Sequence, residues 1–134
     1  MRQSAYNKNM KKTGRYDMAQ LFLALSNEVR LSLLNLIGER EVCVCELVAA
    51  LDLPQPKISQ HLACLRSAGV VEARREGRWM HYRILPPPSA EGRKVLQAAL
   101  QWMQTDPYFQ AAQKQVKKKT AAARAAEKSL KISA

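Results

Sequence analysis

A mainly α fold with one small β-hairpin (α+β) is what this sequence predicts, and three observations predict it. Apolar residues recur at helical spacing over 17–25, 28–37, 56–67 and 95–103. Two β-rich runs, 70–75 and 78–84, are joined by Glu76-Gly77, a turn signal. Between these segments stand the punctuating residues Gly38, Pro54, Gly69 and Pro86-Pro87-Pro88.

Taken in order, residues 1–16 are polar and without period, which predicts a basic N-terminal arm. Asp17 opens the first helix at a capping-box-like distance from Gln20, and Met18, Leu21, Phe22 and Leu25 form one apolar stripe. Ser26-Asn27 breaks and recaps the chain. The next helix, 28–37, is apolar on every side, so it is a core helix, ended by Gly38. A short helix over 46–51 stops at Asp52-Leu53-Pro54. Pro56 suits the first turn of the following helix and Gly69 its end, with Ile58, Leu62 and Leu65 on the inner face. After the hairpin and the prolines, Ser89 caps a long helix striped by Val95, Leu96, Ala99, Leu100 and Met103. From about Ala111 the chain is rich in Lys, Ala and Gln with no stripe to bury, so it reads as disordered or frayed helix. The expected organisation is an arm over 1–16, one domain over 17–106 and a basic Lys/Ala-rich tail over 107–134.

Charge narrows the partners. The net charge of +11 is concentrated at the two ends, while the region 54–83 carries Lys57, Arg66, Arg74, Arg75, Arg78 and Arg83 against Glu72 and Glu76. A basic region beside an acidic shoulder at 17–53, flanked by basic ends, suits a polyanion. No run approaches the roughly 20 apolar residues of a membrane span, and the N-terminus lacks the apolar core of a secretory signal. Three cysteines, an odd number, argue against a disulfide scaffold and for the cytoplasm. A nucleophile, base and orienting group at recognisable spacing are missing, as is a phosphate-binding glycine loop, so an enzyme is not expected.

Two short helices joined by a tight turn, the second with a polar outer arc, and then a basic hairpin describe a winged helix-turn-helix. Gln55, Lys57, Ser59, Gln60 and His61 lie in the first turns of the second helix, where side chains reach base edges of double-stranded DNA. Arg75 and Arg78 at the hairpin tip suit phosphates or the minor groove. The stripes Met18, Leu21, Phe22, Leu25 and Leu96, Leu100, Met103 exceed what one small core requires, so a homodimer is expected, with reading helices about 34 Å apart. Trp102 and Met103 read as packing residues.

The thiol segment Glu41-Val42-Cys43-Val44-Cys45-Glu46-Leu47 stands just ahead of this unit. Alternate residues share a face of a strand but point about 200° apart on a helix. If Cys43 and Cys45 form the frayed edge of the helix over 46–51, joint chelation must remodel that edge and can act as a switch. A soft ion, a thiol redox change and a purely structural pair are all compatible with these residues. The small ring that a disulfide between them would close ranks redox sensing second.

Residues 17–85 resemble the ArsR family of winged-helix repressors, most closely its arsenite-responsive branch. The matching words are Leu25-Ser26-Asn27-Glu28-Val29-Arg30-Leu31, the thiol segment, Gln55-Pro56-Lys57-Ile58-Ser59-Gln60-His61-Leu62, and Arg78-Trp79-Met80-His81-Tyr82-Arg83. The resemblance implies a homodimeric repressor, needing no cofactor to bind DNA, that leaves its operator when arsenite or antimonite binds Cys43 and Cys45. One departure is Val48, where the arsenite branch carries a third cysteine. Cys64 on the reading helix is then the candidate third thiolate; an exogenous thiol, or a methylated trivalent arsenical that needs two ligands only, are the alternatives. Cadmium or lead sensing in the family takes thiolates from the N-terminal arm, which has none here. Zinc or nickel sensing takes histidine from the last helix, and 91–105 has none. The competing readings are a thiol redox-responsive regulator and a constitutive winged-helix DNA-binding protein.

Overall fold

The computed structural model describes residues 15–118, with side-chain environments from Met18 onward. The elements are α1 (Arg15–Leu25), α2 (Glu28–Ile37), β1 (Val42–Cys43), α3 (Val44–Leu51), α4 (Gln55–Ser67), β2 (Val71–Glu76), β3 (Trp79–Ile84), α5 (Ala90–Thr105) and a last helical segment, α6, over 107–118. Residues 1–14 of the arm expected over 1–16, and 119–134 of the tail expected over 107–134, lie outside the described residues. α1 starts at Arg15, two residues before the expected start.

The helix boundaries follow local chemistry. Asn27 sits in extended backbone, and its Oδ1 accepts from the N–H groups of Val29 at 2.9 Å and Arg30 at 3.1 Å, so two orphan donors of α2 are satisfied. Gly38 closes α2 at φ +57, a conformation that glycine adopts without penalty. Asp52, also left-handed, ends α3. Ser89 Oγ accepts from Gly92 N–H at 2.9 Å and starts α5.

α2 is central. Leu33, Leu34 and Ile37 from it, Leu47 from α3, Ile58, Leu62 and Leu65 from α4, and Val70 and Val71 from the entry to β2 are all fully buried. Each such side chain contributes about 1.5–3 kcal/mol by leaving water. The inner face assigned to α4 is thus the one that holds it down, and its opposite arc faces outward.

The sheet has three strands rather than the two of a lone hairpin. The order is β1-β3-β2, all antiparallel, with Val42 opposite Tyr82 and Cys43 opposite His81. Two residues suffice for β1, and periodicity cannot register so short a strand. Glu76 pairs with Trp79, so the turn is Gly77-Arg78 and not Glu76-Gly77. Gly77 has φ +61 at the first turn position, where a two-residue hairpin requires positive φ.

The stripes expected to form a dimer divide differently. Leu21, Leu96 and Met103 are buried in the protomer's own core, and Leu25 and Leu100 pack against it. Met18 and Phe22 remain exposed, joined by Leu23 and by Trp102, which is 75% exposed and is no packing residue here. The chain beyond Ala111 also departs from expectation, because α6 continues to 118 and buries Val116. Buried Asn35 of α2 explains the docking. Its Nδ2 donates to the Phe109 carbonyl at 3.1 Å, and Gln113 Nε2 donates to the Asn35 carbonyl at 2.7 Å.

Candidate nucleic-acid interface and thiol site

Of the residues assigned to DNA, Gln55, Lys57, Ser59 and Gln60 are exposed on the first two turns of α4, and His61 is half-buried beside them. Arg75 and Arg78 are exposed at the end of the β2–β3 hairpin, Arg78 within the turn itself. A helix with an open polar arc and an arginine-tipped hairpin are therefore present on one scaffold. His61 is not a free surface group. Arg30 of α2 contacts its Nδ1 at 3.2 Å, a link between segments 31 residues apart that no local pattern marks.

The thiols are placed otherwise than the sequence suggested. Cys43 ends β1 and is the N-cap of α3, with extended backbone at φ −69 and ψ 143. Cys45 lies in the first turn. Their Cα atoms are 5.2 Å apart and the two sulfurs are in bonding contact, while Cys45 N–H also points to Cys43 Sγ at 3.3 Å. The expectation that both sulfurs cannot meet unless the helix edge is remodelled is thereby overturned. One cysteine is extended and the other helical, so the 200° divergence of two helical residues does not apply. Cys43 is buried and Cys45 exposed, which leaves the pair open on one side.

Cys64 is half-buried on α4, and among the described residues no three His, Cys, Asp or Glu side chains are gathered closely enough to hold one metal ion. Among the described residues, the pair Cys43 and Cys45 has no third His, Cys, Asp or Glu gathered with it. A groove of about 730 Å³ between α2, β3 and α5 is lined by Asn35, Arg40, Glu41, Leu100 and Gln101 among others, and contains none of the cysteines.

Sequence reasoning missed how the thiol segment is tied to the wing. Arg74 Nε of β2 donates to both oxygens of Glu41, at 2.8 and 2.9 Å, across the intervening β3 strand. Arg74 also pairs with Glu76 at 3.1 Å, and His81 Nε2 lies 3.5 Å from that carboxylate. The Arg74 hydrogen bonds hold the Glu41 carboxyl below the usual range, against a smaller opposing effect of desolvation. Only the strand register brings these charges together.

Comparison with known proteins agrees with this architecture. Residues 27–73 match the model of the bacterial regulatory protein, arsR family. The arsenical resistance operon repressor of Escherichia coli is 47% identical over 81 residues, which cover 60% of this chain and 69% of that protein. The chain belongs to the ArsR family. An arsenic resistance transcriptional regulator of Pseudomonas putida is 43% identical over 91 residues, covering 64% of this ArsR-family chain and 71% of the relative. Among solved structures, HlyU from Vibrio cholerae superposes with a TM-score of 0.55 at 33% identity, covering 63% of this chain and 89% of that one. The homodimeric winged helix-turn-helix DNA-binding domain Mb0332 from Mycobacterium bovis gives a TM-score of 0.56 at 33% identity, covering 71% and 84%. Fold and relatives are those of DNA-binding transcription regulators, not of enzymes. Among the described residues no helix is long and apolar enough to cross a membrane.

Proposed function

We propose that this ArsR-family regulator is a cytoplasmic, homodimeric repressor that leaves its operator when trivalent arsenic or antimony binds Cys43 and Cys45. The observation that carries this reading is the meeting of the two sulfurs at the junction of a wing strand and the first helix of the helix-turn-helix. The relatives named for arsenic resistance supply the choice of inducer. Thiolates suit soft, thiophilic ions, and a helix start favours anionic ligands. With Cys64 outside the pair, the third position goes to an exogenous thiol, or to a methyl group in a methylated trivalent arsenical.

Coupling follows from the corrected geometry. A metalloid atom held by both thiolates fixes their separation and direction. Cys43 is fixed by pairing with His81, so the displacement passes to Cys45 and the first turn of α3, which packs on α4. In the other direction, any strain on β1 reaches the wing through β3 and the Glu41–Arg74 pair. The DNA-bound form prefers the helix start as folded and the inducer the one its two bonds impose, which is a two-state coupling.

For the dimer, the exposed side chains Met18, Phe22 and Leu23 of α1 and Trp102 of α5 are the contact surface we assign, with Leu25 and Leu100 supporting it from below. The arm, winged domain and tail then divide as 1–16, 17–106 and 107–134, with α6 docked on the domain.

Titration of arsenite into a fluorescent operator complex tests the reading. Wild type is expected to dissociate, Cys43→Ser and Cys45→Ser to stay bound, and Cys64→Ser to dissociate like wild type. Equal release from all four proteins removes the thiol pair from the mechanism. A second reading has support in the same contact. Oxidation of both thiols to a disulfide removes the thiolates that a metalloid needs, so peroxide is expected to block later arsenite action.

A further inference from the structure

Arg30 makes an unusual set of contacts for a side chain on the second helix. Its Nη2 donates to the Leu23 carbonyl at 2.8 Å, with Ser26 Oγ at 3.4 Å, and its Nε donates to the Ala24 carbonyl at 3.1 Å. The guanidinium is therefore anchored on the last carbonyls of α1. Its remaining nitrogen, Nη1, is aimed at His61 Nδ1 at 3.2 Å. A guanidinium has donors only and stays protonated, so the Nδ1 facing it must offer a lone pair.

We propose that Arg30 is a positioning residue for operator reading, which fixes the His61 imidazole as the neutral Nε2–H form and so presents a hydrogen-bond donor from α4 to the DNA. This rests on the reading of α4 as the DNA-reading helix. Nε2 is on the far edge of the ring from the Arg30 contact, and Ser59 and Gln60 beside it are exposed. A donor there pairs with an acceptor: guanine O6 or N7, adenine N7, thymine O4, or a phosphate oxygen. It rejects the cytosine amino group. Without Arg30 the ring is free to place its proton on either nitrogen, or on both, and that discrimination is lost.

The charge environment acts in the same direction. Desolvation, then Arg30 from α2, then Lys57 from the turn before it on α4, all push the His61 pKa below 6.5 and keep the ring neutral. A protonated ring has no lone pair for Arg30.

The test combines nitrogen-15 NMR of the two histidines with operator binding; His81→Gln assigns the signals. Wild type is expected to show His61 as a single Nε2–H tautomer at neutral pH, and Arg30→Met to show mixed tautomers titrating closer to 6.5. Across operators changed one base pair at a time, Arg30→Met and His61→Gln are each expected to lose roughly three- to tenfold discrimination at the same base pair. A uniform loss at every sequence, with the salt slope unchanged because the ring carries no charge, assigns the acceptor to a phosphate instead of a base. Because Arg30 also holds the end of α1, Arg30→Met is placed on the His61→Gln background, where no further change in discrimination is expected. An Nδ1–H or doubly protonated wild-type ring overturns the proposal, as does a tautomer unchanged in Arg30→Met. Failure of wild type to bind any sequence specifically overturns instead the reading of α4 on which it rests.

Discussion

His61 shows how much one residue's role depends on a distant partner. It lies on α4 as the sequence predicts, half-buried, and its protonation is shifted by burial and by Arg30. The sign of the pH effect follows. The unfolded ring takes up a proton near 6.5 and the folded ring only at lower pH, so between those values the unfolded chain binds more protons. Stability is unaffected by this group well above 6.5, declines as pH falls through that value and levels off below the folded pKa. Urea unfolding midpoints measured from about pH 7.5 to about pH 5.5 are expected to fall in wild type, and to fall less in His61→Gln. The cysteine pair stood out in the sequence and the family resemblance suggested a role for it, yet its geometry was not legible. Whether Cys43 is helical or extended is decided by two residues of strand pairing with Tyr82 and His81, and nothing within the thiol segment reports that pairing.

At the scale of elements, capping and periodicity were the reliable signals. Asn27, Gly38, Pro56, Gly69 and Ser89 mark the ends of helices where the chemistry of caps requires, and Ile58, Leu62 and Leu65 are buried as their spacing demands. What escaped was held by long-range contacts. β1 exists because β3 is beside it, and α6 because Asn35 offers a buried amide 74 residues away from its partner carbonyl at Phe109. Asn35→Ala leaves that carbonyl without its donor, while the Gln113 amide keeps the main-chain carbonyl at that position, and is expected to cost about 1–3 kcal/mol. Hydrogen exchange is the direct readout: amides of 107–118 are expected to exchange faster in the variant while those of α4 keep their protection. Equal acceleration everywhere contradicts a docking role confined to α6.

For the whole molecule, the stripes of α1 and α5 serve both the core and, in the proposed dimer, the contact between copies. A single sequence cannot apportion them, because both uses select the same apolar residues at the same period. The structure separates them by exposure: Leu21, Leu96 and Met103 inside, Met18, Phe22 and Trp102 outside. Phe22→Glu or Trp102→Glu is expected to give a folded monomer in sedimentation, and to weaken operator binding by about a hundredfold or more as two-site attachment is lost. A variant that remains dimeric places the contact elsewhere. The coupling between the thiol pair and the DNA surface is itself measurable, because linkage makes it reciprocal. Arsenite affinity, measured by calorimetry on the free protein and on its operator complex, is expected to be weaker in the complex by the same factor by which arsenite weakens DNA binding. Arsenite that binds both forms equally well contradicts the switch.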